Sequence, residues 1–108
     1  MGGAVSESVS GTREQEQSRT ADDVRLPRPC RVLMHNDHYT TMDFVVQVLQ
    51  EIFRKPRREA VDIMLEIHTV GVGVAGVYPA EIAETKIAEV HDRARQAGFP
   101  LRCSMAPE

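Results

Sequence analysis

The ten residues His35-Asn36-Asp37-His38-Tyr39-Thr40-Thr41-Met42-Asp43-Phe44 form a mostly polar cluster between an apolar run and an amphipathic one. Before it, Arg31 to Met34 reads as a strand. After it, Val45, Val48, Leu49, Ile52 and Phe53 recur at helical spacing. The cluster is therefore a strand-to-helix loop, and loops mounted on rigid elements are where binding residues collect. Thr40 or Thr41 is placed to cap the helix, with Thr40 and Asp43 at capping-box spacing, and the apolar stripe carries the helix to about Arg54.

On the N-terminal side, the chain up to about Arg28 is Gly, Ser, Glu, Gln, Arg and Asp with scattered single apolar residues. Such a composition cannot repay the entropy of ordering. Residues 1–28 are expected to be a disordered extension and residues 29–108 the folded domain. Leu26-Pro27-Arg28-Pro29 marks the boundary, because each proline fixes its own backbone and biases its predecessor toward extended conformations.

On the C-terminal side, Pro56 suits the first turn of a second helix whose stripe is Ala60, Ile63, Met64 and Ile67, with His68 in its last turn and Gly71 as a left-handed stop. Val72 to Tyr78 is apolar and β-branched, and is interrupted by Gly73 and Gly76, as in a strand with a bulge or a close packing contact. A third helix begins near Ala80. Glu81 and Glu84 favour its N-terminal end, Arg93 and Arg95 its C-terminal end, and Gly98 and Pro100 stop it. Leu101, Cys103 and Met105 alternate with Arg102 and Ser104, the pattern of a strand with one buried face. The predicted class is α+β: a single small domain of order β-α-α-β-α-β, with a three-stranded antiparallel sheet packed on three helices.

The 108 residues allow one small domain. A net charge of -3 supplies no basic stripe for a phosphate backbone, which argues against a nucleic-acid partner. Cys30 and Cys103 lack CxxC spacing, and the chain opens without a secretory signal pattern, so both thiols are expected to be reduced and partly buried. No apolar run approaches the roughly 20 residues that span a bilayer. The expectation is a cytoplasmic protein with no membrane partner.

Several chemistries compete for the polar loop. His35, Asp37, His38 and His68 are potential metal ligands, and a small metal-dependent hydrolase using His35, Asp37 and His68 is one reading. The chain lacks HExxH and a Cys/His quartet, however, and neighbouring residues on an extended segment point to opposite sides. No GxSxG elbow and no Gly-rich phosphate loop is present. A structural reading assigns Asn36 and Asp37 to Asx turns, Thr40 to a cap and His68 to helix-end carbonyls, and would suit an interaction domain without a working pocket. A binding reading notes that the polar residues stand beside Met42, Val45, Met64 and Ile67. Polar acceptors at the mouth of an apolar pocket suit a ligand with an ammonium next to a hydrophobic group.

Three segments occur in order: Asn36-Asp37-His38-Tyr39-Thr40-Thr41-Met42-Asp43-Phe44-Val45, Met64-Leu65-Glu66-Ile67-His68, and Ala80-Glu81-Ile82-Ala83-Glu84-Thr85-Lys86. Together they resemble the ClpS adaptors of bacterial Clp proteolysis, over about Pro29 to Cys103. The resemblance implies a monomeric adaptor without cofactor, metal or catalysis. It would bind proteins with a free N-terminal Leu, Phe, Tyr or Trp and hand them to the ClpA unfoldase, which feeds the ClpP protease. It also implies that Asn36, Asp37, His38 and His68 face the substrate's α-amine, and that Thr40, Met42, Val45, Met64, Ile67 and Leu101 form the pocket for its first side chain. By the same resemblance Met42 is a gatekeeper against Ile and Val, Glu81 and Lys86 contact the unfoldase, and the N-terminal extension assists delivery. The chain departs from the usual pattern at His38, where a second Asp is common, and at Thr41, where Pro is common.

Overall fold

A computed structural model, which describes residues 28–108, sets the first strand, Pro29–His35 (β1), at the centre of a three-stranded antiparallel sheet. Strands Val72–Pro79 (β2) and Arg102–Pro107 (β3) flank it in the order β2-β1-β3. The helices are Met42–Glu51 (α1), Arg57–Val70 (α2) and Ala80–Ala97 (α3), so the element order is the expected β-α-α-β-α-β. Residues 1–27 of the expected extension lie outside the described residues.

Alternation along β1 selects the core face. Val32 and Met34 have no exposed surface and pack with Val48, Leu49, Ala83 and Val90 from the helices. Burying a side chain of this size contributes about 1.5–3 kcal/mol each. Between β1 and β2 the register shifts at Val32/Leu33, because Val32 faces Gly76 while Leu33 faces Val74 and Ala75 is left unpaired. This is the bulge that the glycine-broken strand implied.

The helix ends follow local chemistry. Thr41, in extended conformation, caps α1, its Oγ1 accepting from the Phe44 amide at 3.1 Å. The capping-box pairing expected of Thr40 and Asp43 does not form, because Thr40 is held by Asp37. Helix α1 also ends at Glu51, short of the expected Arg54. The chain turns through Arg54 at φ 58°, the one non-glycine with positive φ among the described residues. Ile52 and Phe53 continue the apolar stripe because they are buried in the turn, not because the helix continues. Helix α2 stops at Gly71 with φ 104°, as expected. Helix α3 closes in a Schellman motif, with the Gly98 amide donating to Arg95 and the Phe99 amide to Ala94. That motif brings the Phe99 ring to 4.9 Å from the Phe44 ring, joining the end of α3 to the start of α1.

The buried face of the last strand segment holds at Leu101 and Cys103 but fails at Met105, which is 38% exposed. Met105 lies opposite Val32 on an edge strand, so only one side of it is flanked by the sheet. The Cys103 amide donates to His91 Nε2 at 3.0 Å, which ties β3 to α3. Cys30 and Cys103 are both free thiols, the second buried. No helix among the described residues is long and apolar enough to cross a membrane.

Candidate functional site

Asp37 organises the loop after β1. Its Oδ1 accepts from the Tyr39 amide at 2.8 Å and the Thr40 amide at 2.6 Å, and its Oδ2 accepts from the Thr40 hydroxyl at 2.7 Å. One residue earlier, the Asn36 amide donates to the Gly71 carbonyl at 2.9 Å. The loop is thereby fastened to the left-handed stop of α2, which sets Asn36 beside the helix turn that carries His68.

These constraints enclose a cavity of about 210 Å³. The loop contributes Asn36, Asp37, His38 and Thr40, helix α1 contributes Met42 and Val45, and helix α2 contributes Met64, Ile67 and His68. Polarity is graded across it. Asn36, His38 and His68 are exposed at the mouth, whereas Val45 and Ile67 are buried. The space is wide enough for a single side chain with its adjoining polar group.

Burial pushes the Asp37 carboxyl up, but the hydrogen bonds from Thr40 and Tyr39, helped by the neighbouring His38, outweigh it and hold the group below its ordinary 3.8. Asp37 is therefore an ionised anchor whose two oxygens are already engaged. Among the described residues, the side-chain acceptors available at the mouth are the Asn36 amide oxygen and one ring nitrogen each of His38 and His68. The Thr40 hydroxyl donates to Asp37, and away from the cavity burial pushes the Cys103 thiol up to about 12.

Of the ten residues expected at the α-amine and pocket positions, nine line this cavity. Leu101 is the exception; at 3% exposure it sits in the hydrophobic core. Glu81 is exposed in the first turn of α3. Lys86 is half-buried, with Nζ donating to the Ile52 carbonyl at 2.8 Å and lying 5.2 Å from the Tyr78 ring centre. The metal set considered from sequence does not converge. The His35 ring pairs with the Ser104 hydroxyl at 2.7 Å, and among the described residues no group of three His, Cys, Asp or Glu side chains is placed to hold an ion. The Gly71 carbonyl, which positions Asn36, escaped the sequence reading because a helix-stop glycine carries no sign of what its oxygen will meet.

Comparison with known proteins bears on this arrangement. The family model described as ATP-dependent Clp protease adaptor protein ClpS matches residues 25–104. The ATP-dependent Clp protease adapter protein ClpS of Oleidesulfovibrio alaskensis is 56% identical over 101 residues, covering 94% of this chain and 97% of its own. The protein of the same name from Nitratidesulfovibrio vulgaris is 64% identical over 83 residues, covering 77% and 80%. Among solved structures, Agrobacterium tumefaciens ClpS2 bound to L-phenylalaninamide superposes with a TM-score of 0.74 at 37% identity, covering 77% of this chain and all of that one.

Proposed function

Because the chain belongs to the ClpS family of Clp protease adaptors, we propose that its cavity seats the first residue of N-degron substrates, those with a free N-terminal Leu, Phe, Tyr or Trp, for delivery to the ClpA unfoldase of the ClpAP protease. The observation that carries this reading is the graded cavity, with unengaged acceptors at the mouth and apolar walls behind. A related protein, Agrobacterium tumefaciens ClpS2, was solved bound to L-phenylalaninamide. That compound is a phenylalanine with a free α-amine and no carboxylate, the chemistry of a protein's first residue.

In this reading Asn36 and His68 accept hydrogen bonds from the α-ammonium, and a ring nitrogen of His38 adds an acceptor where the family resemblance implies a second Asp. The bonds must replace lost water, since a buried charge without partners is very costly. Val45, Met64 and Ile67 pack against the first side chain, Met42 screens its shape and Thr40 forms the rim. Burying Leu or an aromatic ring here contributes about 1.5–3 kcal/mol, which Gly or Ala cannot supply. The Asp37 charge acts at a distance, through a carboxylate already committed to the loop. Leu101 contributes from behind, as core.

The adaptor breaks no bond and requires no cofactor or metal. It works as a monomer in the cytoplasm. Its partner is a ClpA-type unfoldase that meets the exposed Glu81 face of α3, with Lys86 shaping that face from below. The segment before Arg28 assists delivery and not recognition. The test is degradation of a Phe-starting reporter by ClpA and ClpP with and without this protein. Acceleration that disappears when the reporter's N-terminus is acetylated supports the reading, and no acceleration contradicts it. Deleting residues 1–24 should leave peptide binding intact while abolishing the acceleration.

A further inference from the structure

We propose that Gly73 is a specificity-determining residue: by leaving room for Ile67 behind the cavity, it sets how large a first side chain the protein accepts. The inference rests on reading the cavity as the seat of that side chain. Helix α2 passes straight into β2 through Gly71, so the last turns of the helix lie over the start of the strand. Gly73 is buried there, and its φ is not in the left-handed region that demands glycine. Space is what excludes a larger residue. A Cβ at position 73 would stand 2.8 Å from Ile67 Cγ1, with the Ile63 carbonyl at 3.5 Å and Ile63 Cγ2 at 3.6 Å. Only the Ile67 contact is closer than packing allows.

Ile67 cannot rotate away, because a β-branched side chain in a helix has one strongly preferred rotamer. It is 3% exposed, is the group a Cβ at position 73 would meet first, and is itself part of the cavity lining. Interiors are close-packed with few voids, so the yielding direction is into the cavity. A single methyl group at position 73 therefore narrows the site without adding an atom to its lining. The loss should grow with the size of the ligand: Trp and Phe suffer before Leu.

The experiment measures the affinities of wild type, Gly73→Ala, Ile67→Ala and the double variant for peptides starting with Leu, Phe and Trp. In Gly73→Ala, the Trp-starting peptide should weaken relative to the Leu-starting one by about tenfold or more, the scale of one overpacked methyl. In the double variant, Trp-to-Leu selectivity should return to that of Ile67→Ala. An unchanged Trp-to-Leu ratio in folded Gly73→Ala overturns the proposal. If Gly73→Ala does not fold, recovery of the fold by adding Ile67→Ala supports it, and failure to recover overturns it. Wild type that binds none of the three peptides would instead overturn the adaptor reading itself.

Discussion

The Asp37 carboxylate grips Thr40 twice, through the amide to Oδ1 at 2.6 Å and through the hydroxyl to Oδ2 at 2.7 Å. This double hold closes the Asp37–Thr40 turn and leaves Thr41, the next residue, to cap α1. Asp37→Ala should cost about 1 kcal/mol of stability, the scale of a lost hydrogen-bond acceptor in a partly solvated loop. It should cost more in ligand affinity, because Thr40 and Met42 lose their placement. Denaturant unfolding and peptide titration of the same variant check this; equal losses in both would deny the loop a role in presenting the site.

Binding should weaken as pH falls from 8 to 6. Asp37 is not the cause. Its carboxyl is held below 3.8 in the folded state, so its stabilising effect is fully present above that ordinary value and disappears only as pH falls through the lower folded one. The imidazoles that line the cavity mouth are those of His38 and His68, and a protonated imidazole both loses its acceptor and repels an ammonium. His38→Asp should raise affinity for free N-termini, because it puts a carboxylate beside the ammonium. A flat affinity from pH 8 to 6 contradicts the assignment.

Met42→Ala should admit peptides that begin with Ile or Val. Met42 lines the cavity at the first position of α1 and is 45% exposed, so it can clash with a side chain branched at Cβ, discriminating by repulsion more than by attraction. Competition binding with Ile-, Val- and Leu-starting peptides gives the answer, and unchanged rejection of Ile and Val would mean that the fixed walls, not Met42, set the shape.

Lys86→Ala should lower stability by about 1 kcal/mol. Its ammonium satisfies the Ile52 carbonyl left over at the end of α1 and sits over the Phe53 and Tyr78 rings, a cation–π contribution of about 0.5–1 kcal/mol. Glu81→Ala, exposed in the first turn of the same helix, should lower stability by only about 0.3 kcal/mol, the low end of a surface charge at a helix N-terminus. Weak delivery by Glu81→Ala would then report the partner surface directly, whereas weak delivery by Lys86→Ala mixes contact with fold. An unaltered midpoint in Lys86→Ala contradicts its anchoring role.

Much of this architecture was legible because single residues dictate it. Gly71 and Gly98 both stop helices in the left-handed conformation, and the glycine-interrupted run before Pro79 is a bulged strand. The polar loop and the α2 stripe were each readable as halves of one cavity, because Met64, Ile67 and His68 share a helix face. Long-range contacts were harder to read. Ile52 and Phe53 extend the helical pattern of α1 although they are buried in a turn, and nothing nearby in sequence announces Lys86 as the partner of Ile52, 34 residues away. Met105 fits an alternating strand but lies on an edge. Leu101 follows the apolar pattern equally well as core or as cavity lining, and only the packing separates the two.

The most direct test of the central claim is fluorescence anisotropy at pH 8 with labelled peptides starting with Leu, Phe, Tyr or Trp, alongside N-acetylated, Gly-starting and Val-starting peptides of the same remaining sequence. The account predicts binding of the four bulky free N-termini and loss of binding on acetylation or on exchange of the first residue for Gly or Val. Equal binding of the acetylated peptides, or no binding of any, would contradict it.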